Sequence, residues 1–236
     1  MRTDVRALPP RVAAVSVGVL WGRKHREPQP ELLPVSEVGV AIVDCDNDEP
    51  VVERRYLLEG ADLALVSEHL CDLDLPVVGF NLLGFDWIAL EGVCDASRLI
   101  ERTIDVRSAL LPSVADIVAA EGQSEFPMHG EYGVLNPRRL AEVNLGFVPG
   151  DGDDPGGDAE LAAALWHEFA TSGRAVIAGH TYALEDIQLA LLQGERPEHA
   201  SVESWRSMVA ARPQPKAYRK RTRHQVTFPR IDQRYV

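Results

Sequence analysis

Apolar residues fall in short β-type runs over the first third of the chain and in helical spacing after it. Residues 11–20 are β-branched and apolar with no helix cap, which predicts a buried strand. Residues 37–44 predict a second strand, stopped by the turn-forming Asp46, Asn47, Asp48 and Pro50. Residues 51–58 alternate apolar and polar and predict a third strand, paired to the second as a hairpin. Between the first two, residues 23–33 are polar and carry Pro28 and Pro30, a loop.

Helical spacing begins at residues 61–70, where Leu63, Leu65, Val66 and Leu70 share a side. A short apolar strand at 76–80 runs into Asn81 and a helix around 85–90. A further strand at 102–106 leads into a helix over 107–120. Asn136 and Pro137 mark a helix start for 137–145, with proline where its missing N–H costs nothing. Residues 148–158 read as an acidic loop, followed by helices over 159–171 and 174–192, or one helix broken at Gly173. A three-strand meander followed by alternating helices and strands predicts an α/β fold, a mixed sheet of about five strands with flanking helices.

Composition changes this picture little. The chain has 236 residues, 45% hydrophobic and 25% charged, with 18 Gly and 16 Pro, values that suit one soluble domain and not a disordered or collagen-like chain. Its longest apolar run, residues 12–21, is far short of the ~20 residues that cross a bilayer. Gly22, Arg23 and Lys24 follow it where a signal peptide would have its small-residue cleavage site. Cys45, Cys71 and Cys94 are scattered and form no metal-binding or disulfide pattern. No membrane association is expected, and the location expected is cytoplasmic.

Charge is more informative. The net charge is −12, yet residues 213–236 carry Lys216, Arg219, Lys220, Arg221, Arg223, Arg230 and Arg234 against Asp232 alone, a net +6 that leaves −18 for the remainder. Tyr218, His224, Phe228 and Tyr235 are interspersed among these cations, a composition suited to single-stranded nucleic acid. The division expected is a domain over residues 1–200 and a basic extension over 201–236. The plainer reading of the extension is a solvated tail.

Two segments carry candidate chemistry. In the first, a strand ends at Asn81 and delivers Phe85 and Asp86 to the carboxyl edge of the sheet, where α/β folds place their sites. In the second, Tyr182 and Asp186 lie four residues apart, which on a helix puts hydroxyl and carboxylate on one face. The order N-x-x-x-F-D and then Y-x-x-x-D resembles the second and third motifs of the DEDDy 3′–5′ exonucleases, which have the ribonuclease-H-like fold and include proofreading domains of family-B DNA polymerases. The resemblance runs from about residue 36 to 192.

What it implies is a two-metal phosphodiester hydrolysis of single-stranded ends with Mg²⁺ or Mn²⁺. Asp86 and Asp186 would be the metal ligands, and Tyr182 would orient the attacking water. Asn81 would support the loop and Phe85 would pack beneath it or against a terminal base. Lys216, Arg219, Lys220, Arg221 and Arg223 would hold the strand, and a helicase or polymerase would be a natural partner.

The chain departs from the family at its first motif. The D-x-E expected on the first strand is replaced by Val15, Ser16, Val17, Gly18 and Val19. Asp44 with Asp46, or Glu37, are the candidate substitutes. Two readings stand: an exonuclease with a replaced first motif, and an inactive nuclease-fold module that binds nucleic acid or assembles with a helicase or polymerase. His180 is six residues before Asp186, where the histidine variant of the family needs five, and is set aside. His129 and His167 have no partner spacing and are expected to face solvent. Asp151, Asp153 and Asp154 lack a calcium-loop pattern and read as a solvated loop.

Overall fold

The computed structural model describes residues 8–20, 34–46, 49–121, 135–149, 154–195 and 201–210. Three long strands come first: β1 (Arg11–Val19), β2 (Val35–Asp44) and β3 (Val51–Glu59). They form the antiparallel meander read from the sequence, with Ala14 opposite Ala41 and Val40 opposite Tyr56. A 3₁₀ turn at Gly60–Leu65 leads into α1 (Val66–Asp72). Then come β4 (Val77–Gly79), α2 (Trp87–Leu90), β5 (Thr103–Asp105) and α3 (Val106–Glu121). β4 joins the free side of β1 in parallel and β5 joins β4, so the sheet order is β3-β2-β1-β4-β5. This is the five-stranded mixed sheet with flanking helices expected of a ribonuclease-H-like chain.

β1 is the central strand, and Val12, Ala13, Ala14 and Val15 are fully buried. Ala13, Val15 and Val17 face one layer, formed with Leu70, Trp87, Leu99 and Trp205. Val12 and Ala14 face the other, formed with Leu161, Trp166 and Phe169. A strand buried on both faces reads as a continuous apolar run, which is why the sequence marks it so clearly.

The second half differs from the sequence reading. After α4 (Pro137–Asn144), α5 (Pro155–Ser172) starts four residues earlier than expected, with Asp154 as its cap accepting from the Gly157 N–H at 2.9 Å. Gly173, at φ 65°, ends it. Residues 174–192 are not one helix: β6 (Arg174–Ile177) and β7 (His180–Ala183) form a hairpin, and only α6 (Asp186–Leu192) is helical. The hairpin turns on Ala178 and Gly179, both at positive φ (51° and 82°), the geometry that matches strand twist. His167, expected at the surface, is buried on α5, and burial lowers its pKa. His129 lies outside the described residues.

The last helix, α7 (Val202–Ala210), docks on the body. Trp205 is buried and donates its indole N–H to the Leu83 carbonyl at 3.0 Å, and Arg206 donates to Ser97 Oγ at 3.0 Å. Residues 202–210 therefore belong to the folded body rather than to an extension. Among the described residues no helix is long and apolar enough to cross a membrane.

Candidate functional site

The parallel strands β1, β4 and β5 bring their carboxyl ends to one edge. The chain leaving β4 reverses at Asn81, which adopts a left-handed conformation (φ 71°) that asparagine tolerates better than most residues. Gly84 lets the Asn81 side chain fold over the turn, since a Cβ there would stand 2.3 Å from Asn81 Oδ1. Residues Leu82–Asp86 form a single π turn, a local widening of the helix often found at functional sites. Asp105, at the end of β5, holds the turn by accepting from the N–H groups of Asn81 (3.0 Å) and Leu83 (2.9 Å). Asn81 Oδ1 in turn accepts from Arg107 at 3.3 Å. Phe85 sits half-buried inside the turn.

Asp86 closes the turn onto β1. β4 pairs with β1 only as far as Ala14, so the backbone of β1 beyond that point needs another partner. Asp86 Oδ1 supplies it, accepting from the Val17 N–H at 2.8 Å. The carboxyl is 6% exposed, and burial, aided by the charges of Asp105 and Asp158, pushes its pKa up to about 8 against the pull of the Val17 bond. Burial thus favours the neutral form of Asp86.

The acid that shares this site is Asp158, one turn into α5. Its helix packs over β1 and β2, and the first turn lies flat on two glycines. A Cβ at Gly39 would stand 2.2 Å from the Pro155 carbonyl carbon, and one at Gly18 would stand 2.8 Å from Pro155 Cγ and 2.9 Å from Glu37 Cγ. Asp158 Oδ1 pairs with Arg138 of α4 at 3.3 Å. Sequence reasoning missed Asp158 because Gly156 and Gly157 read as loop. The signal present was Asp154 followed by Pro155, a cap with proline in the first helical position.

Tyr182 and Asp186 do not share a helical face. Tyr182 is on β7, stacked edge-on to His180 with centroids 6.4 Å apart, and Asp186 is the exposed first residue of α6. α6 is fixed to α3, where Gln188 Nε2 donates to the Ala109 carbonyl at 2.9 Å and to Ser113 Oγ at 3.0 Å. Of the substitutes for the first motif, Asp44 is opposite Arg11, at the far end of β1 from Gly18, about 23 Å along a strand at ~3.3 Å per residue. Asp46 lies beyond it. Glu37 is opposite Gly18 and so stands at the site edge. Lys216, Arg219, Lys220, Arg221 and Arg223 lie outside the described residues.

This donor set does not fit a two-metal centre. Asp86 Oδ1 accepts from the Val17 N–H, Asp158 pairs with Arg138, and among the described residues no three His, Cys, Asp or Glu side chains gather as a metal site would require. What the described residues place at this edge is two buried acids, Asp86 and Asp105, with the half-buried Asp158 acting electrostatically on Asp86.

No protein-family model matches the chain, and no curated protein matches it. Among solved structures the chain is similar to one described as "3'-end specific recognition of histone mRNA stem-loop by 3'-exonuclease", with a TM-score of 0.46 and 10% identity, over 77% of this chain and 93% of that one. The fold assignment rests on the strand order itself.

Proposed function

We propose that this chain is a ribonuclease-H-like module that binds single-stranded nucleic-acid ends without hydrolysing them. The observation that carries this reading is the seat of Pro155 against Gly18: β1, where the family's D-x-E is expected, holds no acid, and a side chain at Gly18 would meet the first turn of α5. Glu37, opposite Gly18, and Asp158, paired with Arg138, form no metal cluster with other acids among the described residues, as paired Mg²⁺ or Mn²⁺ ions would need. The basic, aromatic composition of residues 213–236 supports nucleic acid as the ligand class. Assembly beside a helicase or polymerase would suit a module that holds an end it does not cut.

The test is a Mn²⁺ titration with a labelled single strand, reading both retention and length. Expected are retention without shortening, and no calorimetric metal binding. Shortening that disappears in Asp86→Ala, Asp158→Ala and Glu37→Ala would establish an enzyme with a rearranged metal site instead.

A further inference from the structure

A cavity of about 350 Å³ opens between the β2–β3 hairpin and α5, at the end of the sheet away from the Asp86 turn. Val43 on its wall pairs with Val12 of β1, five residues or about 16 Å along that strand from the Val17 N–H that Asp86 holds. Val52 and Phe147 line the cavity and remain 41% and 61% exposed, apolar surface that the fold leaves uncovered. Glu49, Glu160 and Glu168 line it too. Glu160 pairs with Arg55, whereas the side chains of Glu49 and Glu168 have no partner among the described residues. His167 completes the lining. It is only 7% exposed, yet its imidazole has no hydrogen-bond partner among the described residues, and a polar group so enclosed calls for one.

We propose that this cavity is a docking site for an arginine presented by a basic segment of a partner protein. Apolar walls alone would accept any hydrophobic side chain, but the polar groups select among them. Two unpaired carboxylates favour a cation and oppose the phosphates of a nucleic-acid strand. A guanidinium suits both kinds of wall, because its plane stacks on an exposed phenylalanine ring and its fork of donors matches carboxylate oxygens. The carbon stem of the same side chain covers Val52. Burial holds the His167 pKa below the usual histidine value, so at neutral pH the uncharged ring offers one nitrogen as acceptor to a remaining N–H. A partner seated here leaves the Asp86 edge free, since the two places lie at opposite ends of β1.

The experiment titrates a rhodamine-labelled peptide, Gly-Leu-Arg-Leu-Gly, into the full chain at low salt and reads anisotropy. Saturable binding is expected. Phe147→Ala should weaken it about threefold, as loss of an exposed cation–π contact does, and Glu168→Gln about tenfold, as loss of a charged hydrogen bond does. Both side chains are at least partly exposed, and melting temperatures close to wild type show that the fold is intact. Lysine in place of the probe's arginine should weaken binding, and citrulline, which keeps the shape without the charge, should abolish it. Equal binding of the citrulline peptide, unchanged binding to both variants, or no binding to wild type overturns the proposal. A five-nucleotide single strand that displaces the peptide assigns the cavity to nucleic acid and overturns it as well. Binding that appears only when Arg219→Gln, Lys220→Gln, Arg221→Gln and Arg223→Gln are combined in the full chain assigns the cavity to the chain's own basic segment, and the partner protein falls.

Discussion

A carboxyl enclosed as Asp86 is leaves a thermodynamic signature. Its pKa in the folded chain is about 8, against an ordinary aspartate value near 4 when unfolded. Between those two pH values the folded state holds a proton that the unfolded state has released, so stability falls as pH rises through this window and levels off above about 8. The slope approaches about 1.4 kcal/mol per pH unit where the difference is complete. Asp86→Asn keeps a carbonyl oxygen for the Val17 N–H and cannot ionise. Its stability relative to wild type should therefore improve steadily between about pH 5 and 8, as read by urea unfolding at several pH values. A difference independent of pH would mean that burial does not raise the Asp86 pKa in the folded chain.

Between elements, the decisive contact is the flat seat of α5 on β1 and β2. Gly39 meets backbone atoms of Pro155 and Gly156 at 2.2–2.3 Å from where a Cβ would stand, and a helix backbone cannot step aside as a side chain can. Gly39→Ala should cost about 3 kcal/mol or more, at the upper end for overpacking, and Gly18→Ala less, because its neighbours are side-chain atoms. Chemical denaturation of the two variants checks this ranking, and equal losses would show that α5 shifts freely on the sheet. The same seat explains what the sequence revealed and what it hid. The meander was legible because both its buried and its alternating strands have simple apolar periods. The strand end at Asn81 was legible because the short apolar run of β4 stops there at a residue that tolerates the left-handed turn. The partner acid was hidden because Gly156 and Gly157, needed for close helix–sheet contact, look like loop residues when contact is invisible. Tyr182 and Asp186 misled because Ala178 and Gly179 make a hairpin turn without the asparagine or aspartate that usually announces one.

For the molecule as a whole, the proposed function requires a body with a net charge of −18 to retain a polyanion. On the proposed binding reading, the basic composition of residues 213–236 would supply the long-range attraction. Trp205 bonds to Leu83, three residues before Asp86, so the chain beyond Ala210 leaves from a helix docked on the same turn that carries the site. Cutting after residue 212 leaves that anchor in place, so removal of 213–236 should not change the melting temperature appreciably. It should weaken strand binding most at low salt and flatten the dependence of log K on log salt by about 0.7 for each phosphate no longer contacted. A truncated chain with an unaltered salt slope would place the attraction elsewhere on the body. It would leave the seven cations of the segment as a solubilising tail.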